Sequence, residues 1–332
     1  MPCYNAEQFL PMALDSIINQ TYTNLEILCI NDGSTDKTAD ILEEYAKKDK
    51  RIRVVHNEAN LKLIVTLNKG IALAKGDYIA RMDADDVSHL ERIEKLYKTL
   101  VKEDVDVVSC NSENIDIFGV KKSTGYLKAV TSLEIEFASY LFTPIGHALL
   151  LGHKAVLLEN TYSKNENSFH TEDYELWTRM IRNGVSFYNL DEILYSIRIN
   201  TESVSRKFED IQITNFVKSA KIHQELLLDR ALNENIVAVA VNRIEKPSIK
   251  NTKEGFKLID EIFQTFKSKN ELTTQEIKSL SLIVTMQKAD VLIQSIKKGD
   301  FKVRSYAGII LIKTSAVNVF NTAFKKYLKL KF

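Results

Sequence analysis

The sequence predicts an α/β fold with a mostly parallel central sheet, followed by an α-helical C-terminal region. Two observations carry this. Over residues 1–110, short apolar runs of strand length alternate with segments of helical periodicity, the pattern of βα units whose strands lie parallel. From about Phe208 the periodicity is helical almost to the end, with few glycines and one proline, Pro247. Taken in order, Ala6 to Asn19 reads as a helix, and Glu26 to Asn31 as a strand ending in the turn Asp32-Gly33-Ser34. Thr35 to Lys48 is helical, Arg53 to His56 a short strand, and Lys62 to Ala74 a helix that ends at Gly76. Tyr78 to Met82 is an apolar strand, Ser88 to Leu100 a helix, and Asp104 to Cys110 a further strand. Residues 111–205 are more mixed, with an apolar run at His147 to Leu151 and a helix from Glu172 to Asn183 stopped by Gly184. A boundary near residues 200–210 separates a domain of residues 1–205 from a helical region of residues 206–332.

Composition narrows the function classes. The 332 residues are 45% apolar and 27% charged, as in an ordinary globular protein, and the net charge of +1 argues against wholesale nucleic-acid binding. Cys3, Cys29 and Cys110 are odd in number and far apart. Two lie in strand-like runs, so they read as reduced core residues of a cytoplasmic protein, and no zinc-ligand spacing is present. Neither a signal peptide nor an apolar run long enough to span a bilayer is evident. Charge is uneven: residues 301–332 hold seven basic residues and no acidic one, interleaved with apolar positions such as Ile309, Ile312 and Phe324. That pattern suits either a membrane-surface helix or a last helix docked on the domain with a solvated basic face.

The chemistry-bearing feature is the end of the strand Tyr78 to Met82, which runs into Asp83, Asp85 and Asp86. Clustered carboxylates at a buried strand end repel one another unless a cation lies among them. Mg²⁺ or Mn²⁺ takes oxygen ligands, is held by one or two carboxylates, and completes its shell with phosphate oxygens. The competing reading is that Asp86 or Ser88 caps the following helix.

Three further stretches combine with this one: Pro2 to Glu7, Asn31 to Asp36, and Glu172 to Met180, the acidic cluster itself being preceded by Asn68 to Met82. In this order, over residues 1–205, they resemble the family 2 glycosyltransferases of the GT-A fold. The resemblance implies an inverting, metal-dependent transferase that moves a sugar from a nucleotide-sugar, with UDP expected, to a hydroxyl of a glycan or lipid-linked acceptor in surface polysaccharide synthesis. It places the donor nucleotide at Pro2, Tyr4, Asp32, Arg81, Asp83 and Ala84, gives the Mn²⁺ or Mg²⁺ to Asp85, and makes Asp173 the general base. The physics is compatible: ligands of open α/β sheets bind beyond the carboxyl ends of strands, and a carboxylate there accepts a hydrogen bond from the ring N–H of uracil. Each residue also has a plainer reading. Asp32 can be a turn residue and Tyr4 a core residue; Arg81 can pair with the acids; Glu172 and Asp173 suit a helix's first turn. His147, Glu172, Trp177 and Arg198 are candidates for acceptor or phosphate contacts, with core burial the alternative for His147 and Trp177. The loop from Tyr195 through Asn200 to Ser205 resembles one that covers the donor, although Asn200 stands where many relatives carry histidine.

Two departures matter. Relatives begin with an apolar strand several residues before the Pro-x-Tyr-Asn motif, whereas Met1 already lies within it; a truncated start and poor stability are expected. Lys62 stands where relatives often have glycine, and a turn there with positive φ would be strained. The overall expectation is a cytoplasmic enzyme, peripheral on the membrane through residues 301–332. A catalytically inactive nucleotide-sugar-binding or membrane scaffold is the alternative. A nucleotidyltransferase is disfavoured by the lack of a Gly-rich phosphate loop near the N-terminus.

Overall fold

The computed structural model describes residues 1–199, 208–317 and 321–331. The chain forms two compact units. The first comprises Met1–Ser132, Ile145–Glu166 and Glu175–Lys207; the second comprises Leu133–Pro144, Asn167–Tyr174 and Phe208–Phe332.

In the first unit, β1 (Pro2–Cys3), β2 (Ile27–Asn31) and β3 (Ile52–His56) form a parallel three-stranded sheet, with Cys3 opposite Asn31 and Asn31 opposite His56. The connecting helices are α1 (Leu10–Ile18), α2 (Thr38–Lys48) and α3 (Leu63–Leu73). Leu10, Ala13 and Leu14 of α1 are buried at helical spacing, so the stripe read from the sequence is the face that meets the sheet. A second, six-stranded sheet has the order β4-β8-β6-β9-β5 with β7 on β6. Here β4 is Tyr78–Ala80, β5 Val87–Ser88, β6 Val107–Ile115, β7 Lys121–Thr124, β8 Leu151–His153 and β9 Phe187–Arg198. β6 and β9 run parallel, and the remaining pairs in this sheet are antiparallel. Its core includes Met82, Leu96, Leu100, Val108, Leu149 and Leu194. All three cysteines are buried free thiols, the two read in strand-like runs and the third alike.

The two sheets do not share a hydrogen-bonded edge. A cavity of about 620 Å³ lies against both, lined by Leu28 and Ile30 of β2, Tyr78 to Ala80 of β4, and Gly70 and Ile71 of α3. The amino group of Met1 reaches into β2 and donates to the Leu28 carbonyl at 2.8 Å.

One expectation about local structure is corrected. The segment Ser88 to Leu100 is not one helix: Val87 and Ser88 pair with β9, and α4 (Arg92–Glu103) begins four residues later. The acidic turn therefore joins two strands, and Asp86 caps no helix.

The positive φ anticipated at Lys62 is present. Its φ of 72° and ψ of 162° put it in a region that is essentially reserved for glycine. Lys62→Gly is expected to stabilise the protein by about 1 kcal/mol, the relief of strain exceeding the added entropy of the unfolded chain. A denaturant midpoint that fell instead would show that the lysine side chain contributes more than its backbone costs.

The second unit is helical. It contains α5 (Ser132–Ser139) and the helices Glu209–Leu228, Glu234–Ala240, Ile249–Lys269, Thr274–Lys298, Phe301–Val317 and Thr322–Lys329. Their starts are well specified: Ser248 accepts from the Asn251 N–H, and Thr273 with Glu276 forms a reciprocal capping box. α6 (Lys154–Glu159) belongs to the first unit. α7 (Glu172–Arg182) opens in the helical unit, and its turns from Glu175 onward belong to the first.

Candidate active site

Asp32 sits beyond the carboxyl end of β2, buried and held. Its Oδ1 accepts from Asn57 Nδ2 at 2.7 Å and from the Leu61 N–H at 2.9 Å. Asn57 is fixed in turn by Lys69 Nζ at 2.6 Å on its Oδ1 and by Thr66 at 3.1 Å. Oδ2 of Asp32 has no partner among the described residues, so one carboxylate oxygen is locked and the other is left for a donor. The turn needs a glycine at position 33. Gly33 has φ +69°, and a Cβ there would meet the Ala59 carbonyl carbon at 2.5 Å. Tyr4 is 49% exposed, which removes the core reading and leaves its ring free for a ligand.

The loops carrying Tyr4 and Asp32 brace each other. The Asn5 N–H donates to Ser34 Oγ at 3.0 Å, the Thr35 N–H to Asn5 Oδ1 at 2.9 Å, and the Lys37 N–H to Glu7 Oε2 at 2.9 Å. Pro2 and Ala84 lie nearby in structural roles: Pro2 pairs with Ile30, and Ala84 is buried in an apolar cluster with Cys3 and Cys29. Asn5, Glu7, Ser34 and Asp36 thus tie the two loops together, which their presence in two separate motifs did not by itself reveal.

The acidic turn is engaged unevenly. Asp83 forms an ion pair with the buried Arg81. Asp86 is buried; its Oδ1 accepts from the Arg198 N–H at 2.8 Å, and Tyr195 hydrogen-bonds to it. Burial, followed by the charges of Asp83 and Asp85, pushes the Asp86 carboxyl up to about 8. Asp85 is half-buried and its carboxylate has no side-chain hydrogen bond among the described residues. Burial and then the Asp83 charge raise it from its ordinary value. A cation beside Asp85 would relieve both effects, so the donor set fits a hard divalent ion taking one protein carboxylate and drawing its other ligands from phosphate and water. Among the described residues no group of three or more His, Cys, Asp or Glu side chains is arranged to hold a metal alone.

Because folded Asp86 titrates near 8 rather than at the ordinary value of 3.8, the folded chain holds a proton that the unfolded chain has released between those limits. Stability is full at the acidic end and is lost as the pH rises towards 8, by up to ~1.4 kcal/mol per unit. Asp86→Asn is expected to flatten the fall of thermal midpoint between pH 5 and 8. An unchanged slope would mean that Asp86 is ionised throughout.

Two supports of this turn were missed by motif reading. Arg92, the first residue of α4, is fully buried. Its Nη2 donates to the carbonyls of Arg81 at 2.8 Å and Ala148 at 2.7 Å, and its guanidinium lies 4.6 Å from the Tyr195 ring centre. The Tyr195 hydroxyl in turn accepts from the Asp83 N–H at 3.1 Å. A signal for Arg92 existed: it shares the apolar stripe of α4 with Leu96 and Leu100, a costly place for a charge without a local role.

Three candidate contacts take other roles. Trp177 is fully buried against Phe187 and the His147 edge, so its ring is core and not a platform for sugar. His147 hydrogen-bonds to the Tyr162 hydroxyl at 2.9 Å, and burial with the Arg81 charge keeps it neutral. Arg198 is buried and spends its guanidinium on the carbonyls of Asp85 at 2.7 Å and Asp116 at 2.9 Å, stacked 4.5 Å from the Phe9 ring centre; it is a brace for the acidic turn. Asn200, Ser203 and Ser205 of the loop expected to cover the donor lie outside the described residues.

In the helical unit, Glu172 and Asp173 are half-buried at the start of α7. Asp173 Oδ1 accepts from the Tyr174 N–H at 2.8 Å. The Tyr174 hydroxyl donates to the Ser139 carbonyl at 2.6 Å, and its ring stacks on Phe216 at 4.0 Å. Arg243 lies over the other ring of this stack, 4.9 Å from the Phe216 centre, and feels the Asp173 charge.

Known proteins agree with this architecture. The profile of Glycosyl transferase family 2 matches residues 1–156. An uncharacterized glycosyltransferase of Haemophilus influenzae is 36% identical over 217 residues, covering 63% of this chain and 67% of the relative. The putative glycosyltransferase EpsE of Bacillus subtilis is 30% identical over 267 residues, covering 77% of this chain and 95% of the relative. Among solved structures, S. aureus TarS 1-349 in complex with UDP-GlcNAc aligns with a TM-score of 0.56 at 17% identity, covering 94% of this chain and 87% of that one. The mannosyltransferase PcManGT from Pyrobaculum calidifontis, in complex with GDP-Man and Mn²⁺, aligns with a TM-score of 0.53 at 16% identity, covering 99% and 82%. These structures share the fold, and the sequence relatives share the family: the chain belongs to glycosyltransferase family 2 and is a glycosyltransferase built on a GT-A fold.

Proposed function

We propose that the enzyme transfers a sugar from a UDP-sugar to a hydroxyl of a lipid-linked or glycan acceptor, with inversion at the anomeric carbon, and that it works at the cytoplasmic membrane face in surface polysaccharide synthesis. The observation that carries the donor side is the pairing of a half-locked Asp32 carboxylate with the unengaged carboxylate of Asp85. Asp32 Oδ2 accepts from the uracil N–H, the exposed Tyr4 covers the base, and Asp83, oriented by Arg81, takes the donor ribose. Asp85 would hold Mn²⁺ or Mg²⁺, which when bound neutralises the charge that develops on the departing diphosphate. The solved relatives bound to UDP-GlcNAc and to GDP-Man with Mn²⁺ support this class of donor and cofactor.

Asp173 removes the acceptor's hydroxyl proton as that oxygen bonds to the anomeric carbon and the bond to the diphosphate oxygen breaks. With one attack and one base, an α-linked donor yields a β-linked product. Among the described residues no helix is long and apolar enough to cross a membrane.

Calorimetric titration with UDP, with and without Mn²⁺, tests the reading. UDP is expected to bind at least about tenfold more tightly with Mn²⁺, a gain that Asp85→Ala removes while metal-free binding survives. Equal UDP affinity in the wild type with and without the ion would sink the metal assignment. Failure of Asp32→Ala to weaken UDP would sink the base site.

A further inference from the structure

We propose that the helix Phe301–Val317 seats the protein on an anionic lipid surface, through an apolar stripe edged by cations. One face of this helix is already used. Val303, Ala307 and Leu311, spaced four apart, are buried in the helical unit. The opposite face is open to solvent and carries three large apolar residues around the small Ser305: Phe301 is 84% exposed, Ile309 55% and Ile312 71%. At 100° per residue these three fall within one quadrant of the helix. Lys302 and Lys313 border the stripe on one side and Arg304 on the other, where its Nε also donates to the Gly299 carbonyl at 2.6 Å.

Charge selects the occupant. Residues 301–332 contain seven basic residues and no acidic one, and Lys325, Lys326 and Lys329 on the next helix are exposed. A second copy of this face would bring like charges together, whereas anionic headgroups neutralise them and the stripe enters the boundary of the acyl chains. The helix is too short and too charged to cross, so it lies on the surface. The same unit offers a contrast. Helix Glu209–Leu228 exposes Ile211, Ile222 and Leu226, but its Glu209, Asp210 and Glu225 outnumber Lys218 and Lys221, so it lacks the excess of cations that an anionic surface attracts. The inference extends the lipid-linked acceptor reading by naming the surface that meets the membrane. Its test needs no turnover, so either can fail alone.

The experiment is flotation of the full chain with phosphatidylcholine vesicles containing about 30% phosphatidylglycerol, against vesicles of phosphatidylcholine alone. Binding is expected to the anionic vesicles only, and to fall steeply between about 0.1 M and about 1 M salt as the Debye length shrinks. Ile309→Glu and Ile312→Glu are each expected to lower it roughly tenfold or more, and Lys302→Gln or Lys313→Gln roughly fivefold. Ile222→Glu serves as the control and should bind as the wild type does. All these positions are exposed, and circular dichroism checks that each variant is folded. Absence of binding to anionic vesicles, or equal losses in Ile222→Glu and Ile312→Glu, overturns the proposal. So does a wild-type dimer in light scattering that Ile312→Glu converts to monomer, because the stripe would then be a contact between copies.

Discussion

Asp173→Asn is expected to slow sugar transfer by roughly 10²–10⁴-fold while UDP affinity stays near the wild-type value. Asparagine keeps the shape of the side chain, and its carbonyl oxygen can still accept from the Tyr174 N–H, so the start of α7 should be undisturbed. What it removes is the ability to take a proton. The surroundings are built to hold that position: Tyr174 is anchored to the Ser139 carbonyl and stacked on Phe216, with Arg243 over the same ring. A loss confined to turnover, with an unaltered thermal midpoint and unaltered UDP binding, identifies the base. Transfer at the wild-type rate in Asp173→Asn would move the base elsewhere, with the neighbouring Glu172 the first alternative to test.

Trp177→Ala is expected to cost about 3–5 kcal/mol of stability, among the largest effects of any single substitution in the first unit. The indole is fully buried between Phe187 and the His147 edge, and its removal leaves a cavity that the surrounding strand and helix cannot fill. Trp177→Phe keeps most of the volume and should retain both folding and activity at reduced stability. A ring that stacked on sugar would behave in the opposite way: Trp177→Ala would raise the acceptor KM and leave the thermal midpoint almost unmoved. The two measurements separate a packing role from a binding role.

How much of this was legible depends on whether the information is local. β2, α2, α3 and α7 were readable because each carries its own periodicity and its own stop, such as the Asp32-Gly33-Ser34 turn or Gly184. α4 was placed too early because Ser88 reads as a helix start in isolation; its partner Tyr195 lies over a hundred residues away. The site divides along the same line. Asp32, Asp83 and Asp85 announce themselves in short motifs. Asn57, Arg92 and Tyr195, which hold them, act through contacts between elements remote in sequence, and a single chain offers only the faint mark of an arginine on an apolar stripe. Trp177 was open to both a sugar-stacking and a core reading, and Arg198 to a phosphate contact, because aromatic and cationic residues suit sugars and phosphates; their burial follows from packing that no spacing encodes.

The separation of β2 from β4 has a consequence for cooperativity. Asp32 is carried by one sheet and the acidic turn by the other, and no ladder of backbone hydrogen bonds ties the two. Local opening should therefore cost less here than elsewhere in the unit, since cooperative units follow continuous networks of bonds and packing. Native-state hydrogen exchange should find the amides of Leu28 and Ala80 releasing their protons well before that of Val108, which lies inside a strand flanked on both sides. A donor that engages Asp32 and Asp85 together would fasten one sheet to the other, so its binding should slow exchange most strongly at this seam and make the unit open as a single body.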